Sequence, residues 1–161
     1  LAMLATMRGI PQIFYGEEMM LCSADLSQGH GGLRIDFPGG WAGDKINLLT
    51  AEGSKGQNKE MFDFSARLFN WRKSKEVIHS GQTMHFMTRD NTYAYFRYND
   101  TDAVFVYVNN TDKPKNIPWS NYAEIGKSLK DGRCVLTGEE VVVDNNTKVA
   151  PYSVIVVEYK R

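Results

Sequence analysis

The spacing of apolar residues changes along this chain, and each change predicts a different element. Residues 1–7 form an apolar run that suits a helix, and Gly9 and Pro11 follow where such a helix would end. Residues 13–15 are apolar without polar alternation, which is typical of a strand that is covered on both faces. The pattern therefore predicts a helix at residues 1–7, then a tight loop. A buried parallel strand is predicted within residues 10–15.

The next stretch lacks periodicity and then becomes helical. Residues 17–60 hold eight of the fourteen glycines, which predicts a long irregular loop. Apolar residues then recur every three or four positions from residue 60, ending before Gly81, which predicts an amphipathic helix. The residues of this apolar stripe are Met61, Phe64, Leu68 and Trp71.

After Gly81 the apolar period falls to two, which indicates β-structure. Residues 93–98 and 103–108 alternate on either side of a polar turn and predict a β-hairpin. Short strands are also expected at 84–88, 116–119, 132–136, 141–143 and 153–159, and residues 122–129 are either a helical turn or a loop. Several short strands with this spacing predict a mainly β fold with an antiparallel β-sandwich.

Composition excludes several function classes. Nineteen basic and nineteen acidic residues give a formal net charge of zero, so neither nucleic acid nor an anionic membrane is an expected partner. Cys22 and Cys134 show no metal-binding or redox spacing, so no disulfide framework, zinc site or other cofactor is predicted. No apolar run approaches the ~20 residues that a membrane span needs.

Three segments together resemble the α-amylase family of (β/α)8 glycoside hydrolases. Residues 9–18 read GIPQIFYGEE, as at the family's eighth barrel strand, and residues 60–81, which include NWRK, resemble its eighth helix. Residues 33–41 read LRIDFPGGW and resemble neopullulanases and cyclomaltodextrinases. The resemblance implies a barrel remnant at 1–80, made of the end of helix seven, strand eight, the long loop and helix eight, and a carboxyl-terminal all-β domain at 81–161.

The chain opens at Leu1 in the middle of a pattern, without a helix cap, and is interpreted as a carboxyl-terminal piece of a larger protein. The resemblance implies that the catalytic carboxylates follow barrel strands four, five and seven, upstream of residue 1. No catalytic residue is therefore assigned, and this piece alone is expected not to hydrolyse a glucan. The family also favours a periplasmic or extracellular location.

Three residues of the long loop are candidates for substrate binding. If Arg34 and Asp36 are extended, they project on one side and can bind sugar hydroxyls, or else form an ion pair that holds the loop. Trp41 either offers a ring face to a glucose unit or is buried under the loop. Glu17 and Glu18 lie at the predicted mouth of the barrel, where a loop-anchoring role is favoured over a catalytic one.

The preferred interpretation is the last βα unit and the β-sandwich of a retaining α-glucan hydrolase, whose roles are barrel closure and structural support. Its expected partners are an α-glucan oligosaccharide and the barrel domain, with self-association through the exposed barrel strand as a further expectation. A stand-alone carbohydrate-binding β-sandwich and a ligand-free interaction domain are the alternatives. The first alternative requires an exposed aromatic row, whereas aromatic residues at period two usually fill a sandwich core.

Overall fold

The computed structural model describes residues 1–23, 27, 29–144 and 146–161, except for the side chain of Asp131. The chain forms two compact units. One unit comprises residues 12–67, and the other comprises residues 1–11 together with 68–161. The predicted boundary between residues 80 and 81 stays a prediction.

The larger unit contains a five-stranded antiparallel sheet with the strand order β1-β2-β3-β7-β5. A separate two-stranded sheet is formed by β4 and β6. The strands are β1 (Gln82–His85), β2 (Thr92–Tyr98), β3 (Asp102–Asn109), β4 (Lys115–Asn116), β5 (Lys130–Cys134), β6 (Lys148–Val149) and β7 (Ser153–Lys160). The structure is therefore mainly antiparallel β, as predicted, and is consistent with a β-sandwich.

The predicted hairpin is confirmed and its turn has a clear local cause. Tyr93 pairs with Val108 and Tyr98 pairs with Ala103, so β2 and β3 match along their length. Between them, Asn99 Oδ1 accepts hydrogen bonds from the backbone amides of Thr101 (3.1 Å) and Asp102 (2.8 Å). This side chain satisfies the turn amides and fixes the register of the hairpin.

The two faces of the large sheet pack against different elements because side chains alternate across a strand. One face, centred on Phe105, packs in a hydrophobic cluster with residues that follow β4. Those residues lie in a 3₁₀ turn at Trp119–Tyr122 and in the short helix Ala123–Gly126. The buried aromatic residues Phe96, Phe105, Tyr107, Trp119 and Tyr122 belong to this cluster. Core packing of the period-two aromatic residues is thereby confirmed for Phe96, Phe105 and Tyr107.

The opposite face carries Tyr95, Arg97 and Glu158, which contact helices. The helices preceding the sheet are α1 (Ala2–Thr6), α2 (Gln57–Lys73) and α3 (Glu76–His79). Tyr95 Oη lies 2.5 Å from Thr6 Oγ1 on α1, and Trp71 Nε1 on α2 donates to Glu158 Oε2 at 2.9 Å. Helix α1 therefore packs on the sheet, as does the last turn of α2.

The predicted buried strand at residues 10–15 is not formed in this structure. These residues have no strand partner, and a 3₁₀ turn at Glu17–Met19 follows them. The side chains of Ile10, Phe14 and Tyr15 are exposed rather than covered on both faces. A parallel strand exists only when neighbouring strands accept its hydrogen bonds, and the described residues provide none. The barrel unit that the sequence predicted is accordingly not evident.

Other differences lie at the shortest elements. The predicted strand 116–119 shortens to β4 and then turns into the 3₁₀ segment, and the predicted strand 141–143 does not form. Strand β6 was not predicted, since a two-residue strand has no measurable period. The predicted helix from residue 60 is interrupted at Ser74 and Lys75 before α3. Within the described residues, no helix is long and apolar enough to cross a membrane.

Candidate functional site

The candidate substrate-binding residues share one loop of the smaller unit, and a tyrosine fixes part of it. Tyr15 Oη donates to the backbone carbonyl of Ile35 at 2.8 Å. Ile35 stands between Arg34 and Asp36, whose side chains are both exposed. The segment that resembles neopullulanases is therefore tied to the segment that resembles the eighth barrel strand.

Arg34 and Asp36 do not form the ion pair that was the alternative to sugar binding. In the part of the chain that the structure describes, the ion pairs are Lys59–Asp63, Lys75–Glu158 and Lys160–Asp102. The backbone amide of Arg34 donates to the Gly31 carbonyl at 3.0 Å, so the loop is held by its backbone here. The guanidinium and the carboxylate both remain available to a ligand.

Trp41 is exposed in this structure rather than buried under the loop, which was the alternative to a sugar contact. Its side chain is 69% exposed. The Asp44 carboxylate accepts hydrogen bonds from the amides of Gly39 (2.6 Å) and Trp41 (3.1 Å), and the Asp44 amide donates to the Trp41 carbonyl at 3.2 Å. This closed turn holds the tryptophan backbone while the ring faces solvent.

Glu17 and Glu18 follow residues 10–15, and the Glu18 carboxylate anchors a turn there. Glu18 Oε2 accepts a hydrogen bond from the Gly16 amide at 3.0 Å. Gly16 has a φ of +88°, and a Cβ there would lie 2.7 Å from the Leu21 side chain, so glycine is required. Asn58 Nδ2 donates to the Met19 carbonyl at 2.8 Å and ties the same turn to the start of α2. These contacts agree with the loop-anchoring interpretation.

Sequence reasoning missed a buried polar cluster where α1 and α2 meet the large sheet. Arg72 Nη1 and Nη2 donate to the carbonyls of Ala5 (2.6 Å) and Gly9 (2.8 Å). Arg97, which is also buried, donates to Thr83 Oγ1 and to the Ile78 carbonyl. The available signal was Arg97 itself, because it is a charged residue within an otherwise buried strand.

Burial of the tyrosines predicts a sharp loss of stability in alkali. Burial raises the pKa of Tyr95 to about 12, although the Thr6 hydrogen bond opposes this, and burial also raises the pKa of Tyr122 to about 12. The pKa of Tyr159 is raised for the same reason. In the unfolded chain these phenols ionise near their usual pKa of 10.

The pKa values of these phenols are higher in the folded than in the unfolded chain, so the folded state favours the protonated form. The resulting stability is fully present below pH 10 and is lost as the pH rises toward 12. Raising the pKa of one phenol from 10 to about 12 corresponds to about 2–3 kcal/mol in the free energy of unfolding. We expect the free energy of unfolding, measured by urea titration at successive pH values, to fall between pH 10 and 12. Tyr95→Phe should reduce this slope, whereas Tyr152→Phe, at an exposed tyrosine, should leave it unchanged.

Comparison with known proteins supports the resemblance seen in the sequence. Residues 83–158 match the family model of the cyclo-malto-dextrinase C-terminal domain. Among solved structures, the chain is similar to an α-amylase from H. orenii, with 21% identity, a TM-score of 0.63, and coverage of 99% of this chain and 34% of that one. It is also similar to AmyP in complex with maltose, with 16% identity, a TM-score of 0.68, and coverage of 98% and 33%.

The α-amylase from Geobacillus thermoleovorans complexed with acarbose shows the same level of similarity. Its identity is 16%, its TM-score 0.65, and the match covers 99% of this chain and 32% of that one. The chain thus spans about a third of the length of these amylases, and at these identities the similarity shows a shared fold. The resemblance to the α-amylase family is confirmed at the level of this domain, because residues 83–158 match the model of the cyclo-malto-dextrinase C-terminal domain.

Proposed function

We propose that this chain is the carboxyl-terminal part of a longer α-glucan hydrolase of the neopullulanase or α-amylase type. In this proposal residues 1–80 complete a catalytic barrel and residues 81–161 support it. The observation that carries the proposal is the uneven distribution of exposed apolar side chains. Eleven of the fourteen described large apolar side chains that are exposed lie in the first 62 residues.

Those eleven side chains lack the cover that a folded domain normally gives. They are Met3, Leu4, Ile10, Phe14, Tyr15, Met20, Leu33, Trp41, Ile46, Leu49 and Phe62. Soluble proteins rarely leave so many apolar side chains in water unless another surface covers them. The remaining strands of a barrel supply such a cover and also the hydrogen-bond partners that residues 10–15 lack. In the isolated chain, the same surface is expected to cause self-association.

The long loop then contributes to the substrate cleft. Loops that follow the strands of a (β/α)8 barrel form its active-site mouth. The exposed ring of Trp41 offers an apolar face to the C–H groups of a glucose unit, and the free side chains of Arg34 and Asp36 offer hydrogen bonds to its hydroxyls. The chain supports the chemistry without performing it, because the acid and the nucleophile are assigned to the upstream part of the enzyme.

The alternative of a stand-alone carbohydrate-binding module is less well supported. Such a module needs several exposed aromatic side chains in a row. Among the described residues of 81–161, Tyr152 is the one exposed aromatic residue, at 72%. The other aromatic residues of this range are buried or half-buried. One exposed ring does not form a platform for consecutive sugar units.

The proposal predicts that this chain releases no reducing sugar from maltotriose or starch. The longer enzyme is expected to do so. Trp41→Ala in that enzyme should raise the KM for maltooligosaccharides about fivefold with a smaller effect on kcat, since a lost stacking contact is worth about 1 kcal/mol. Tyr152→Ala, which removes an exposed ring on the β-domain, is the matched control and should leave KM unchanged. Hydrolysis by the chain alone would show the proposal to be wrong.

A further inference from the structure

A cavity lies in the larger unit, between the end of α1 and the start of the sheet. Its volume is about 810 Å³, and its lining includes Arg8, His79, His85 and Arg97. The remaining polar side chains of its wall are Ser80, Gln82 and Thr83. No acidic residue is found among the described residues of its lining, and the wall combines cationic and neutral donor groups.

Arg97 is the charged residue at the base of this cavity. Its side chain is 1% exposed. The guanidinium donates to Thr83 Oγ1 and, at 2.8 Å, to the Ile78 carbonyl, while the buried Nε has no hydrogen-bond partner among the described residues. A buried cation without a counter-charge is costly, and a buried N–H without an acceptor adds to that cost.

The surrounding charges make this arrangement less favourable still. Burial lowers the pKa of Arg97, and the positive charges of Arg72 and Arg8 lower it further. Arg72 is itself buried and binds only backbone carbonyls in the described structure. Glu76, the acidic residue next to the cavity in sequence, accepts a hydrogen bond from Ser80 Oγ and lines a different cavity. Within the described residues, three arginines therefore lie together without a carboxylate to balance them.

We propose that this cavity binds a phosphoryl oxyanion, either as free phosphate or as the phosphate group of a sugar phosphate. Guanidinium groups match the geometry of phosphate oxygens and bind them through paired hydrogen bonds. The cavity wall offers two guanidinium groups, an exposed one from Arg8 and a buried one from Arg97. The Thr83 hydroxyl accepts a hydrogen bond from Arg97, so its own proton is available to a remaining phosphate oxygen.

The dimensions and chemistry of the cavity agree with this ligand class. Its volume is larger than a bare phosphate ion requires and leaves space for an attached sugar ring. Backbone carbonyls already accept hydrogen bonds from Arg72 and Arg97, but these carbonyls carry no net charge. They belong to Ala5, Gly9 and Ile78. A bound anion supplies the negative charge that these carbonyls lack, and this electrostatic gain favours measurable binding.

Calorimetric titration of the chain with inorganic phosphate, at constant ionic strength in chloride, tests the proposal. We expect saturable binding, which Arg8→Gln weakens by about tenfold or more, because a hydrogen bond to a charged group contributes about 1.5–3 kcal/mol. Arg133→Gln is the matched control, since it removes the same charge from an exposed position on β5 and should change the affinity less than about twofold. Circular dichroism of each variant verifies that the fold is retained.

A parallel titration with glucose 1-phosphate distinguishes the two sources of the phosphoryl group. Tighter binding of the sugar phosphate supports a sugar-borne ligand, whereas tighter binding of inorganic phosphate supports the free ion. Absence of saturable binding of both ligands would overturn the proposal. Equal weakening by Arg8→Gln and Arg133→Gln would also overturn it, because the effect would then come from net charge rather than from this cavity.

Discussion

Replacing Phe105 with alanine is expected to lower the free energy of unfolding by about 3–5 kcal/mol, the range for a large aromatic residue removed from a packed core. The Phe105 side chain is 0% exposed. Its ring centroid lies 4.7 Å from that of Phe96, 4.6 Å from that of Trp119 and 5.3 Å from that of Tyr122. The substitution therefore removes the central ring of the aromatic cluster and leaves a cavity between the sheet and the 3₁₀ turn.

Urea unfolding monitored by circular dichroism measures this effect. Phe62→Ala is the matched control, because Phe62 is 47% exposed on α2 and its loss should cost less than about 1 kcal/mol. If Phe105→Ala fails to fold, Phe105→Leu provides a milder test, with an expected loss of about 1–1.5 kcal/mol. Equal losses for Phe105→Ala and Phe62→Ala would contradict the central position of Phe105 in the core.

Replacing Arg72 with methionine is expected to destabilise the chain by about 2–4 kcal/mol and to release the amino-terminal residues from the sheet. Methionine retains most of the apolar stem of Arg72 but cannot donate a hydrogen bond. The carbonyls of Ala5 and Gly9 then lose their donors, and a buried carbonyl without a partner costs about 1–3 kcal/mol. Helix α1 is too short to persist without such contacts.

Hydrogen exchange separates this local release from a general loss of stability. The amides of Ala5 and Met7 donate within α1, and we expect their protection to fall more than that of the amides in β3. Lys73→Met, the next residue on the same helix, removes an exposed charge and should change the free energy of unfolding by less than about 0.5 kcal/mol. Retained protection of Ala5 and Met7 in Arg72→Met would show that other contacts hold α1 in place.

The sequence predicted the elements that have a strong period and missed those without one. Strands β2 and β3 run over seven and eight residues that are mostly aromatic or β-branched, so their pairing was predictable. The apolar run at residues 13–15 indicates only that these side chains favour burial, and it carries no information on whether partner strands are present. This is the physical reason why residues 10–15 form no strand in this structure, although the helix predicted before them is present.

The geometry of the candidate site was predictable only in part. The residue types at Arg34, Asp36 and Trp41 suggested sugar contacts, and their role stays a prediction. The bond from Tyr15 Oη to the Ile35 carbonyl joins residues that are twenty positions apart, and no local pattern indicates it. The Asp44 carboxylate accepts hydrogen bonds from the amides of Gly39 and Trp41 and so holds the backbone at Trp41. The exposure of the Trp41 ring follows from this backbone path, which the sequence does not specify.

The position of the last strand has a consequence for biosynthesis. Strand β7 is formed by residues Ser153–Lys160 and lies between β3 and β5, where it pairs with both. While these residues are still inside the ribosomal exit tunnel, β2 and β3 have emerged without the neighbour that β3 requires. The nascent hairpin must therefore wait with an open edge until residues 153–160 have emerged, and this interval is the period of its greatest exposure to chaperones and proteases.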